Sequence, residues 1–398
     1  MRLPLLPILA VLALGVAVDI YIYRRLRCRH AARGWCVAYT IVSLLASVAL
    51  IAVICLPKRA GDDTALHAIM WTLFAYFSVY IPKYIFALFS MAGRLLGRIA
   101  RRAPLWAGAA GAVIGLAVSG AMWWGALHVR FDTEVRRVDV VIDRLPQAFD
   151  GYRIVQLSDI HTGTYLTDTT YLSELVGEVN ALHPDLIVFT GDIVNRRSRE
   201  LRPFASTLSR LSAPGGVWSI TGNHDYGDYY TWPSEAEHRA DVDSLRAIQR
   251  AMGWHMLDNA HTWLRAGADS IALVGVENIG DAPFPVYGSL TRAYPTPTDS
   301  VVKILLSHNP QHWVDSVSGR SDARFDLTLS GHTHAMQMQI GGLSPAAWRY
   351  PTWGGMYTDS LGRRLYVNIG IGEVAIPARI GSARPEVTLI TLRKSPTP

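Results

Sequence analysis

The chain has 398 residues, half of them hydrophobic and 18% charged, with a formal net charge of +6. Residues 1–130 carry 14 Lys+Arg against 3 Asp+Glu and residues 131–398 carry 24 against 29, so the basic excess sits between apolar runs and is no signature of nucleic-acid binding. Three cysteines, Cys28, Cys36 and Cys55, all precede residue 56, which excludes a disulfide framework or a thiolate metal site from the second half.

Four stretches, 3–23, 36–56, 65–91 and 105–127, are long enough to cross a hydrocarbon core, which takes about 20 helical residues. The first has only Arg2 before it, no small-x-small cleavage pattern and a basic cluster after it, so it reads as a retained helix rather than a signal peptide. Arg24, Arg25, Arg27, Arg29 and Arg33 follow the first stretch, and Arg94, Arg98, Arg101 and Arg102 follow the third; the second loop has only Lys58 and Arg59. By the positive-inside rule the first and third loops are cytoplasmic, which puts everything after residue 130 on the extracytoplasmic side of a multi-pass cell-membrane protein. Tyr21, Tyr23, Trp106, Trp123 and Trp124 stand at span ends, as interfacial anchors do. Pro82 and Lys83 interrupt the third stretch; the apolar run before them nearly suffices to span, so Lys83 is expected to snorkel to the interface.

From Val138 onward short β-branched runs alternate with amphipathic segments, the texture of an α/β domain. Strands are expected at 152–157, 185–190, 217–221, 271–276, 301–306, 327–330, 365–368 and 387–392, and helices at 167–182 and 234–252. The boundary near residue 130 separates a four-helix transmembrane region, 1–130, from a domain at 131–398.

Five strands run into polar clusters: Ser158-Asp159-Ile160-His161, Gly191-Asp192, Gly222-Asn223-His224-Asp225, Ser307-His308 and Gly331-His332-Thr333-His334. In α/β sheets ligands bind beyond the carboxyl ends of strands, so these clusters are expected to converge. Two Asp, one Asn and four or five His without a thiolate suit Mn, Fe, Zn or Co. A single catalytic zinc needs only three protein ligands, so seven or eight candidates imply two divalent ions. Such a pair suits in-line attack on phosphorus, with a histidine beside the metals protonating the leaving oxygen.

In their order and wording these blocks, D-x-H, G-D, G-N-H-[DE], a lone H and G-H-x-H, resemble the calcineurin-like metallophosphoesterase superfamily. The run Leu157-Ser158-Asp159-Ile160-His161-Thr162-Gly163 and the tail Arg384-Pro385-Glu386 are similar to its bacterial membrane-anchored YkuE-type phosphodiesterase branch. The resemblance implies a two-sheet β-sandwich flanked by helices. It also implies that Asp159, His161 and His334 hold one metal, that Asn223, His308 and His332 hold the other, and that Asp192 bridges them. His224 would be the general acid, with Asp225 orienting its ring. Asn195 is read either as a support of this set or as a loop amide. The remaining histidines, His312 among them, are read as structural or surface residues.

Two departures from the branch stand out. Ala335-Met336-Gln337 replaces the usual Gly-Gly-Gln, putting side chains where backbone would approach the pocket, and Ile369 stands where an Arg is common, removing a grip on a second anionic group. The expected activity is metal-dependent hydrolysis of a phosphodiester, pyrophosphate or monoester. The membrane half biases the substrate to a lipid-linked or cell-envelope phosphate, with the lipid bilayer as the second partner. A nuclease or cyclic-nucleotide phosphodiesterase is the first rival; the acidic second half lacks the basic stripe it would need, and no nucleic acid is expected. A non-catalytic membrane sensor is the second, opposed by the intact His224. The Trp- and Pro-rich stretch 343–353 reads equally as an interfacial anchor or a packed loop.

Overall fold

The computed structural model describes residues 5–28, 32–55, 62–99, 106–294 and 300–395. Arg29, Lys58, Arg59, Arg101 and Arg102, which carry part of the topology argument, lie outside the described residues. The chain falls into two compact units, the first ending its continuous run at Leu127 and the second beginning at His128.

The first unit is built from α1 (Leu5–Cys28), α2 (Arg33–Cys55), α3 (Asp63–Ile99) and α4 (Trp106–Leu127). Among the described residues, the last three are long and apolar enough to cross a membrane. α1 has 24 residues, with Asp19 in its second half and Arg25 and Arg27 in its last turn. Pro82 lies inside α3 without ending it. Proline has no N–H to give the carbonyl four residues back, which is that of Ser78. Ser119 Oγ of α4 donates to that carbonyl at 3.0 Å and removes the deficit. α4 approaches closely because its facing residues are Gly111 and Gly115: a Cβ on Gly115 would sit 2.9 Å from Pro82 O, and one on Gly111 2.7 Å from Phe89 Cβ. This is the small-xxx-small packing of membrane helices.

Lys83 does not snorkel. Its Nζ lies 2.8 Å from Asp19 Oδ1 and 2.9 Å from Ser43 Oγ, with 12% and 15% of the Lys83 and Asp19 side chains exposed. Tyr39 and Tyr80 donate their hydroxyls to the same carboxylate at 2.6 and 2.8 Å. An intramembrane charge needs a counter-charge or water, and α1 supplies the counter-charge that the sequence of α3 alone does not reveal.

The second unit holds fourteen strands among its described residues: β1 (Glu134–Ile142), β2 (Arg153–Leu157), β3 (Leu186–Phe189), β4 (Val217–Ser219), β5 (His255–Met256), β6 (Ala260–Ala266), β7 (Asp269–Gly275), β8 (Lys303–Leu306), β9 (Leu327–Ser330), β10 (Met338–Gln339), β11 (Gly355–Thr358), β12 (Arg364–Val367), β13 (Ile380–Gly381) and β14 (Glu386–Lys394). They form two six-stranded sheets, β1-β14-β2-β3-β4-β5 and β11-β12-β9-β8-β7-β6, and a small pair β10-β13. β2, β3 and β4 are parallel, with Leu157 beside Phe189, and β7, β8, β9 and β12 are parallel, with Leu306 beside Leu329. Parallel pairing brings the carboxyl ends of neighbouring strands to one edge of each sheet.

Period-two alternation assigns each side chain to a layer. Ile154, Leu186, Val188 and Ile390 of the first sheet share a core with Ile271, Leu273, Ile304, Leu306, Leu327 and Leu329 of the second, so the sheets pack face to face. The intervening Val155, Leu157, Ile187 and Phe189 point outward onto Leu172, Leu175, Val176 and Val179 of α5 (Thr170–Ala181). Ala272, Val274, Leu305 and Val367 bury the other outer face with Trp313. The expected 234–252 helix runs Glu235–Ala251, capped by Ser234, whose side chain accepts from Glu237 N at 3.2 Å. The architecture is the expected two-sheet sandwich flanked by helices.

Candidate metal centre

The polar clusters occupy the carboxyl ends of β2, β3, β4, β8 and β9, and the sandwich brings them to one place. Asp159, His161 and His334 form one group whose donor atoms lie within 4.8 Å of one another; Asp192, His308 and His332 form a second. His161 Nε2 is 3.1 Å from His334 Nε2, and His334 Nε2 is 3.3 Å from Asp159 Oδ1. Asn223 Oδ1 joins the second group, 2.8 Å from His332 Nδ1 and 3.0 Å from His308 Nε2. Asp192 Oδ2 lies between the groups, 3.2 Å from His308 Nε2 and 3.7 Å from His161 Nε2. All seven sequence-predicted donors are thus in one cluster.

Local backbone geometry explains why these loops need their wording. Asp159, His161, Asp192, His332 and His334 all have positive φ, at 53°, 48°, 61°, 75° and 50°. Non-glycine residues in that region cost on the order of 1 kcal/mol or more each and persist only where the surroundings hold them. Asp159 N donates to Gly191 O at 2.9 Å, His161 N to Asp192 O at 3.2 Å, and His332 N to both Asp159 carboxylate oxygens at 3.1 and 3.0 Å. A Cβ on Gly222 would overlap Asp192 Oδ1, and one on Gly331 would overlap Ser158 and Asp159. The two glycines that open their blocks therefore let carboxylates sit against backbone.

The donor chemistry fits a divalent cation. Burial opposes ionisation of Asp159 and Asp192, but His334 beside the one and His308 beside the other hold both carboxyls below the ordinary range. Burial holds His161 and His332 neutral, the latter down at about 3, so each keeps a lone pair. His308 is opposed by burial too, yet its contact with Asp192 holds it up at about 9, so a cation bound there would displace its proton. The imidazoles are also fixed from behind: His161 Nδ1 lies 3.2 Å from Val194 O and His308 Nδ1 2.8 Å from Thr190 O. Bonds of this kind orient a ring and aim its other nitrogen at the site.

His224 sits beside this cluster and outside both donor groups. Its ring meets that of His161 edge-on at 4.8 Å and stacks on Tyr229 at 4.2 Å, while its Nδ1 lies 2.7 Å from Asn195 O. Asp225 does not orient that ring, contrary to expectation. Its carboxylate accepts from the main-chain N–H groups of Asp192, Ile193, Val194 and Gly222, at 2.8, 2.9, 3.3 and 2.9 Å. Burial and the Asp192 charge push Asp225 up to about 7, against the pull of those donors. The carboxylate turns inward because four orphan N–H groups of two loops need an acceptor there, and Asn195 supports His224 through its carbonyl instead. His312 points elsewhere, with Nδ1 2.8 Å from Ser307 Oγ.

Comparisons with known proteins match both units of the chain. Residues 152–336 match the family model for calcineurin-like phosphoesterases, and residues 1–129 match the model for the transmembrane domain of probable calcineurin-like phosphoesterases. A Danio rerio transmembrane protein with metallophosphoesterase domain is 30% identical over 352 residues, covering 84% of this chain and 76% of that one. The uncharacterized metallophosphoesterase YkuE of Bacillus subtilis is 31% identical, covering 63% and 82%.

This chain belongs to the calcineurin-like metallophosphoesterase family. A third relative, the UDP-2,3-diacylglucosamine pyrophosphatase LpxG of Chlamydia muridarum, is 29% identical over 50% of this chain and 68% of its own length. As a member of that family the chain is a metal-binding hydrolase attached to a membrane.

Three residues around this metallophosphoesterase centre carry no motif. Tyr229 hydroxyl accepts from Asn223 Nδ2 at 2.9 Å and its ring backs His224. Tyr350 hydroxyl is 3.0 Å from His332 Nε2. Arg379 is wholly buried, donates to the carbonyls of Ile369, Gly370 and Gly372, and reaches 3.5 Å from His334 Nδ1. Ile369, at the position where the branch favours Arg, is buried against Ala335 and Ala383.

Proposed function

We propose that the chain hydrolyses a phosphodiester or pyrophosphate of a lipid-linked or cell-envelope substrate at a two-metal centre. The supporting observation is the pair of buried donor groups with Asp192 Oδ2 between them and His224 alongside. In this reading Asp159, His161 and His334 hold one ion, Asn223, His308 and His332 hold the second, and Asp192 serves both. When bound, the two ions would neutralise the phosphoryl oxygens and activate the attacking water.

The chain's own contribution to the chemistry is a proton. With Nδ1 bonded to Asn195 O, His224 has Nε2 free to protonate the departing ester oxygen as general acid. Tyr229 against its ring keeps it from rotating away. The apolar helices and the LpxG relative support a substrate that carries a lipid tail. Arg24, Arg25 and Arg27 after the first span and Arg94 and Arg98 after the third support an extracytoplasmic catalytic domain. An alkaline phosphatase fusion after residue 130 should be active; a fusion active only with a cytoplasmic reporter would reverse this orientation.

The activity is tested with the full chain in detergent, stripped of metal and then supplied with Mn or Zn. Turnover of bis-p-nitrophenyl phosphate should depend on the added metal, and comparison with p-nitrophenyl phosphate separates diesterase from monoesterase. His224→Ala should lower kcat on an alkyl ester by about 100-fold or more, and by less on the p-nitrophenyl ester, whose leaving group needs little protonation. Equal losses on both esters would remove His224 from the proton-transfer role.

A further inference from the structure

The segment that leaves the metal centre at His334 returns to it at Tyr350, whose hydroxyl touches His332. Between these anchors the chain exposes large apolar side chains. Ile340 is 64% exposed, Leu343 78% and Trp348 91%. These side chains are displayed by ordered backbone. Ile340 and Leu343 exchange both main-chain hydrogen bonds, at 2.9 and 3.0 Å, across a Gly341-Gly342 turn whose residues have φ of 58° and 79°. A two-residue turn of this kind puts its flanking side chains on one face. Ser344 Oγ then donates to Ala335 O at 2.6 Å and accepts from Ala346 N at 3.0 Å, capping the short 3-10 turn Pro345–Trp348 that presents the indole.

A second loop adds to the same rim. Arg349, the neighbour of Trp348, pairs with Asp281 at 2.7 Å, and the loop after Asp281 exposes Phe284 and Val286 at 44% and 63%. Soluble surfaces seldom hold a nearly bare tryptophan beside bare Leu and Ile, whereas interfacial anchors combine Trp, aliphatic residues and Arg in this way. The occupant available to this domain is a bilayer. Only residues 128–133 separate the last membrane helix from β1, a connector of about 20 Å even when fully extended.

We infer that the Ile340–Trp348 tip inserts into the lipid headgroup and acyl boundary and seats the metal centre at the membrane surface. A phosphate ester whose tail stays in the bilayer would meet the donor cluster without leaving the lipid; that consequence, though not the insertion, rests on the substrate proposed above.

The test uses the full chain in nanodiscs of phosphatidylethanolamine and phosphatidylglycerol, with Cys28, Cys36 and Cys55 replaced by Ser. An environment-sensitive fluorophore is placed on Leu343→Cys, on Trp348→Cys, or on Arg239→Cys in the exposed face of the Glu235–Ala251 helix. A spin label near the top of the acyl chain should remove about half or more of the emission at 343 and 348 and leave 239 unchanged, while aqueous iodide should do the reverse. If iodide quenches all three sites alike and the lipid-borne label quenches none, the insertion is overturned. Because the readout is contact and not turnover, it is independent of whether a lipid ester is cleaved.

Discussion

At the scale of single residues, the centre depends on acceptors that serve loops as much as on the ligands themselves. Asp225 collects four main-chain N–H groups from the β3 and β4 loops, including that of Asp192. Asp225→Asn keeps the volume but turns an amide N–H₂ toward donors. It should destabilise the protein by about 2–4 kcal/mol and weaken metal retention, read as a lower Tm and as metal lost on dialysis. An Asp225→Asn protein with unchanged Tm that has lost only proton transfer would restore the catalytic role first expected for this residue. The donors were legible in the sequence because each block is short, polar and placed after an apolar strand. The ring support of His224 was not, because a carbonyl such as that of Asn195 has no residue signature. Tyr229, Tyr350 and Arg379 escaped for a similar reason: they reach the site through loops whose paths no local pattern encodes.

At the scale of elements, the strongest local conflict is the run His334–Gln337, with φ of 50°, 52°, 46° and 55° at four successive non-glycine residues. The backbone is the one for which Gly-Gly is suited, kept although Ala335 and Met336 stand there. Met336 is 46% exposed, so its side chain contributes little packing against that strain. Met336→Gly should raise stability by about 1 kcal/mol, measured as an upward shift of Tm, because the left-handed penalty exceeds the entropy that glycine adds to the unfolded chain. A fall in Tm would mean that Met336 packs more tightly than its exposure implies. Strand prediction succeeded for the inner strands, which are rich in buried apolar residues on both faces. It passed over β1, β5, β6 and β11, the four edge positions of the two large sheets. β6, with its alternating exposure, has one wet face and a weaker apolar signal.

For the whole molecule, membrane and catalytic units follow different rules, and composition alone divided them. What composition did not show is that the membrane unit is held by a charge pair. Asp19 and Lys83 meet at 2.8 Å with Tyr39, Ser43 and Tyr80 around them. Removing one partner leaves an uncompensated buried charge, a loss of about 3–5 kcal/mol in comparable buried pairs. Lys83→Met should therefore lower Tm in detergent more than the double variant Asp19→Asn/Lys83→Met does. Additive losses would show that the two charges do not depend on each other.

That pair also bears on how the protein is made. Asp19 is translated 64 residues ahead of Lys83, so the first helix gains its counter-charge only once the third has been made. Without the first helix, Lys83 would keep its place in the third but lose the carboxylate that faces it. The pairing thus ties the first and third helices to each other across the whole of the second.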